Sequence, residues 1–191
     1  MSRLIAAAVF CILLLSGLPA APAASGVWLD VPFVRQSRDG CGAASIAMVM
    51  QYWQEQHGHV PNPDAQYAQI QRKLLNPAAN GIYASAMERY LKQSGFETFT
   101  FTGDLETLQH HLTKGRPLIV AVRPGRHRPL HYMLVVGSDQ ANHYVLLNDP
   151  AQRKLLKEDT TQFKKEWKAT RYWTLLALPA TSAAPQPLQK R

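Results

Sequence analysis

Cysteine is almost missing from this sequence. Its 191 residues hold two, and one of them, Cys11, lies inside the N-terminal apolar run "LIAAAVFCILLLSGL". If export removes that run, Cys41 stands alone and no disulfide can form within the mature chain. Acidic residues are scarce as well, 13 against 21 lysines and arginines, which leaves a formal net charge of +8. The basic positions are spread over 114–128, 153–168 and the C-terminal tail with no recognisable binding motif, so they read as a solvated surface and not as a nucleic-acid site. An internal repeat and a glycine-rich phosphate cradle are also lacking.

What is present suffices for one domain with a core of its own. Hydrophobic residues make up 46% of the chain and charged residues 18%, which excludes the disordered and fibrous classes. Arg3, the apolar run and the small-residue stretch "PAAPAASG" have the order of an export signal, and Ala21-Pro22-Ala23 has the small-x-small form that signal peptidase cuts. The expected organisation is a signal over 1–23, a domain over 24–178 and a disordered Pro/Ala-rich tail over 179–191. Such a protein would work in the periplasm or outside the cell as a monomer. It would touch a membrane only if the first segment were kept as an anchor.

Along the domain, "VWLDVPFV" (27–34) reads as an edge strand interrupted by Pro32. Ile46, Val49, Met50 and Trp53 recur at helical spacing and predict a buried helix from Gly42 to about Gln56. Two more helices are expected over 64–75 and 84–94, the second closed by Gly95 in a left-handed cap. "FETFTFT" alternates like a strand, and "DLETLQHHLTKG" reads as a short helix ended by Gly115 and Pro117. The second half then offers four short strands, 117–123, 131–137, 143–149 and 171–178. Together these predict an α+β domain, a helical N-terminal half packed on a C-terminal antiparallel sheet.

Cys41 lies between Gly40 and Gly42 at the expected helix start, where the dipole and free backbone N–H groups favour a thiolate. The flanking glycines would leave room for a substrate carbonyl. Cys41 N–H could stabilise an oxyanion with help from Gln36, five residues upstream, although Gln36 reads equally as an exposed loop residue. A buried, inert thiol remains the plain alternative for Cys41.

A nucleophile also needs a base, and seven histidines compete. His110 and His111 fall in a polar helix, His127 in the loop "RPGRHRPL", and His57 and His59 flank a loop glycine without the carboxylate or thiolate a metal site would add. His131 opens the strand "HYMLVVG", and Asp149 closes the next, "HYVLLND". In a hairpin pairing 137 with 143 and 133 with 147, His131 would face Asp149 directly. The plain alternative makes Asp149 a turn residue before Pro150; Asn148 and Asp139 are rival orienters, with Asn148 expected on the other face.

Taken in order, "RQSRDGCGAAS", "RPLIVAV", "HYMLVVG", "LNDPA" and "FKKEW" resemble the papain-like peptidases that process double-glycine leaders of bacteriocins. The likeness runs from about residue 28 to 178. It implies a papain-like fold with two halves meeting at a cleft, with Cys41 as nucleophile, His131 as base, Asp149 as its orienter and Gln36 in the oxyanion hole. Transporter-borne members commonly place the glutamine six residues before the cysteine and an acidic residue directly before it, where this chain has five and Gly40. The implied activity is hydrolysis of peptide bonds in a secreted or leader-bearing polypeptide, with a secretion-system component as a partner and no cofactor or metal. Deamidation or acyl transfer through the same thiol is the alternative reaction. A peptide-binding module without catalysis is the alternative class. Arg123, Arg126 and Arg128 beside His131 would suit an acidic or C-terminal carboxylate substrate, or would form a solvated loop.

Overall fold

The computed structural model describes residues 26–57 and 67–180. The expected signal over 1–23, His59, the start of the helix expected over 64–75 and the tail beyond residue 180 lie outside them. The strands are β1 (Val27–Trp28), β2 (Phe96–Thr102), β3 (Leu118–Val122), β4 (His131–Asp139), β5 (Tyr144–Asn148), β6 (Leu156–Asp159) and β7 (Trp173–Pro179). The helices are α1 (Cys41–His57), α2 (Tyr67–Leu74), α3 (Ala84–Gln93), α4 (Leu105–Thr113) and α5 (Thr160–Lys168), with a 3-10 turn over Pro77–Ala79.

All strand pairings are antiparallel, in the order β2-β7-β3-β4-β5-β6, with β1 added to β4 beside this path. The sheet is covered on both faces. Ile119, Ala121, Leu134 and Val136 pack with Ile46 and Met50 of α1 and Leu91 of α3. Leu118, Val120, Met133 and Val135, offset by one residue, pack with Leu108 and Leu112 of α4 and Phe163 and Trp167 of α5. This explains why "LIVAV" is an unbroken apolar run: every residue of β3 is buried. Burying one such side chain contributes roughly 1.5–3 kcal/mol.

Several expectations change. The strand expected over 27–34 pairs only at Val27–Trp28, because Pro32 lacks an N–H and the chain leaves the sheet after Leu29 N–H donates to Val136 O. The sheet does not belong to the second half alone, since β2 pairs with β7 along its whole length. Strand β6 and helix α5 had no expected counterpart: "LKED" is charged on its exposed side, and α5 shows its helical start only through Asp159, whose carboxylate accepts from Thr161 N–H and Gln162 N–H. Gly95, at φ 86°, takes the left-handed position assigned to it.

Candidate active site

Helix α1 starts at Cys41 itself, so the thiol sits in the first turn, half-buried and outside any disulfide. Its helix is buried along most of its length, and this fixes the sulfur's position from below. Neither flanking glycine leaves space for a substrate, contrary to expectation. A Cβ on Gly40 would strike the Tyr67 hydroxyl and come within 2.9 Å of Cζ of the same ring. At Gly42 it would lie 3.1 Å from Ile82 Cβ and 3.4 Å from Met87 Sδ. The glycines are there so that α2 and α3 can close on the cysteine turn.

His131, the first residue of β4, places Nε2 2.7 Å from Asp149 Oδ1. The contact does not come from the expected register. Leu134 pairs with Asn148 and Val135 with Leu147, and a bulge between Val135 and Gly137 then shifts the partners, so that Asp139 pairs with Tyr144. Strand β4 runs two residues further than expected, to a turn that the Asp139 carboxylate closes by accepting from Asn142 N–H at 3.0 Å and from its side-chain amide at 2.9 Å. Extending the observed register sets Asp149 opposite Met133, one step diagonal from His131. A slip of two residues preserves the face, and diagonal side chains still reach each other.

The same two-way question over Asp149 dissolves, because it fills both roles. Oδ1 accepts from Ala151 N–H at 2.9 Å, which makes the turn through Pro150, and the carboxylate also holds His131. Gln152 donates to Oδ2 at 2.6 Å. Of the rival orienters, Asp139 is occupied at the far end of β4, and Asn148 is buried, donating to Val31 O and accepting from Leu155 N–H.

Burial works against a charged His131, but the hydrogen bonds to Asp149 and Cys41 and the negative charges of both groups outweigh it, and the imidazole is raised to about 9. Burial pushes the Asp149 carboxyl up, yet the hydrogen bond and charge of His131, with Ala151 N–H and Gln152, bring it below the usual carboxylate range. Since Nε2 is committed to Asp149, the nitrogen left for the Cys41 sulfur is Nδ1. Beside them, burial with the charges of Cys41 and Glu88 pushes the Tyr132 phenol up to about 12 and keeps it neutral.

Gln36 lies half-buried on the loop leading into α1, where its N–H donates to Pro150 O at 3.0 Å and Arg35 donates to Gln152 O at 2.9 Å. The loop before the cysteine is thus tied to the turn that holds Asp149. The carboxamide Oε1 of Gln36 is buried with no hydrogen-bond partner among the described residues, an arrangement that costs stability where no ligand completes it. His110 and His111 end α4, His127 is exposed with the whole loop 123–130, and His143 sits in the β4–β5 turn. Among the described residues, no group of three His, Cys, Asp or Glu could hold a metal ion.

Two residues of this site escaped the sequence reading. Gln152 carried a local signal, three places after the turn aspartate in "DPAQ". Tyr67 carried none, because only the packing of α2 brings it beside Gly40.

Helices on both sides of an antiparallel sheet, with a thiol at the start of the central helix and a histidine–carboxylate pair at the strand ends, form a papain-like cysteine peptidase fold. Within that class the chain belongs to the Peptidase_C39 like family, whose profile matches residues 28–175, and it is a cysteine peptidase, a hydrolase. Its fold is similar to a double glycine motif protease from an AMS/PCAT transporter solved in complex with the leader peptide. That pair has 22% identity and a TM-score of 0.60, covering 81% of this chain and 95% of that one. A C39-like peptidase from Bacillus anthracis has 18% identity and a TM-score of 0.59, covering 82% and 99%. The peptidase domain of Streptococcus ComA, a bifunctional ABC transporter of a quorum-sensing pathway, has 26% identity and a TM-score of 0.57, covering 76% and 96%. No curated protein matches the chain.

Proposed function

We propose that Cys41, His131 and Asp149 are the catalytic triad of a peptidase that cleaves a leader-bearing, exported polypeptide, with Gln36 in its oxyanion hole. The observation that carries this reading is the His131 ring, held by Asp149 at 2.7 Å on Nε2 and in hydrogen-bonding contact with the Cys41 side chain. Cys41 Sγ attacks the scissile carbonyl carbon, and the C–N bond breaks as His131 Nδ1–H protonates the leaving amine. Water, giving its proton to the same nitrogen, then attacks the thioester and releases the carboxylate product and the thiolate. Cys41 N–H and the Gln36 Nε2–H group donate to the tetrahedral oxyanion. Asp149 keeps the ring in one orientation throughout.

The leader-bearing substrate follows from the AMS/PCAT protease, which was solved with such a peptide. Residues 1–23 supply the export signal in this reading, which sets the reaction in the periplasm or outside the cell. The test is turnover of a fluorogenic peptide ending in Gly-Gly-aminomethylcoumarin, together with iodoacetamide labelling of Cys41 by mass spectrometry. Wild-type protein should release coumarin, and Cys41→Ala should lose at least about 10³-fold. Labelling of native protein no faster than of denatured protein, with no turnover, would refute the triad. Rapid labelling with transfer or deamidation products in place of hydrolysis would replace the peptidase reading by acyl-transfer chemistry.

A further inference from the structure

The short loop between Gln36 and Cys41 is held from one side by α2, a helix that no catalytic role has claimed. Tyr67 Oη lies 2.8 Å from Ser37 N and 2.7 Å from Ser37 Oγ, Ser37 Oγ lies 3.0 Å from Gln71 Oε1, and Gln71 Nε2 lies 2.9 Å from Arg38 O. Counting protons sets the directions. Gln71 Oε1 can only accept, so the one hydroxyl proton of Ser37 goes to it, and Tyr67 must then donate its own to Ser37 Oγ while accepting from Ser37 N–H. Both hydroxyl protons of the cluster have a partner, which rigidifies residues 37 and 38. Gly40 completes the seat: the tyrosine ring occupies the space of its missing Cβ.

We propose that Tyr67 is a positioning residue for the peptidase reaction, setting the distance between the Gln36 carboxamide and the Cys41 amide through Ser37 and Gly40. The inference rests on the proposed oxyanion role of Gln36. Its physical content is that between the Gln36 N–H tie to Pro150 O and a single turn bond from Gly40 N–H to Ser37 O, α2 adds the contacts that hold Ser37 and Arg38. An acidic side chain directly before the cysteine could not coexist with Tyr67 in this place. The Gly40–Tyr67 pair is therefore a coupled feature of this chain, and the five-residue spacing between Gln36 and Cys41 is the length that α2 holds.

Two reactions of the same sulfur separate this role from general support. Alkylation by iodoacetamide is a displacement at carbon that makes no oxyanion, whereas coumarin release from the Gly-Gly peptide passes through one. In Tyr67→Phe, kcat for the peptide should fall about ten- to a hundredfold, the loss that follows when an oxyanion donor is misplaced. KM and the alkylation rate should stay within about twofold, and their pH profiles should be unchanged. Ser37→Ala should reproduce the effect. Gly40→Ala should be poorly folded as a single variant and recover folding with Tyr67→Ala, whose shortened side chain vacates the seat. Wild-type turnover with Tyr67→Phe at the same kcat overturns the inference and leaves the triad standing, and so does a parallel fall in kcat and alkylation. Loss of both reactions in the wild type refutes the triad itself.

Discussion

Replacing Asp149 by Asn tests the electrostatic core of the site while keeping its shape. The amide oxygen can still accept from His131 and Ala151, and Gln152 can turn its own amide to accept from the new NH₂. What disappears is the charge. His131 rises from 6.5 to about 9 because Asp149 and Cys41 together outweigh burial. Without the carboxylate, burial regains ground and the imidazole should titrate well below 9. A group whose folded value is raised stabilises the fold fully below its unfolded value and loses that stabilisation as pH passes through the folded one. The window here runs from about 6.5 to about 9. At about 1.4 kcal/mol per tenfold change, the raised His131 is worth about 3 kcal/mol in the wild type below that window. Its side chain is only 15% exposed, so solvent screens little of it. Histidine-labelled NMR would follow the ring directly, and urea unfolding from pH 5.5 to 9.5 would follow its linkage to stability. Wild-type stability should fall across the window, and Asp149→Asn should flatten the fall by more than half. A His131 midpoint that stays near 9 in the variant would show that Asp149 is not the partner that holds the charge. A wild-type midpoint at or below 6.5 would show that burial wins and that the partners do not hold His131 as a cation.

Three further outcomes can be checked alongside. Glu158, beside Asp149 in a cavity of about 270 Å³, is raised to about 7, by burial first and then by the charges of Glu166, Asp149 and Asp159. Its stabilising effect is present at low pH and lost between about 4.5 and 7, so Glu158→Gln should be more stable than wild type at pH 8 by about 1 kcal/mol after screening, measured by urea unfolding. Asn148→Ala strips buried partners from Val31 O and Leu155 N–H and should cost about 2–4 kcal/mol by urea unfolding at pH 6, while leaving the peptide's kcat within about threefold. Gly103→Ala would bring a Cβ to 2.6 Å from Thr174 Oγ1 and 2.8 Å from the Trp167 ring, and its Tm should drop by an amount equivalent to about 1–3 kcal/mol.

Long periodic segments were legible because one helix face or one strand period repeats in the chain itself. The helix from Cys41, the caps at Gly95 and Gly115, and the strands over 118–122 and 173–179 all follow from spacing that local sterics and burial enforce. The pairing of His131 with Asp149 was legible for a weaker reason. The register was wrong by two residues, yet any even slip keeps both side chains on one face, so the contact survives the error. Strand β6 and helix α5 were hidden because their outward residues are charged and their apolar ones few.

Periodicity and residue type alone make this chain an α+β protein, without reference to distant neighbours, and the resemblance of its ordered motifs pointed to the papain-like class. What surrounds the thiol depends on long-range packing. The seat of Tyr67 against Gly40, the clamp of Gln152 on Asp149, the double duty of Asp149 and the tie from Gln36 to Pro150 all join residues whose mutual distance depends on how helices dock on a twisted sheet. A single missing Cβ reads in the chain as flexibility or as room for a substrate. In the folded protein it is a contact, because close packing fills the space that a glycine leaves.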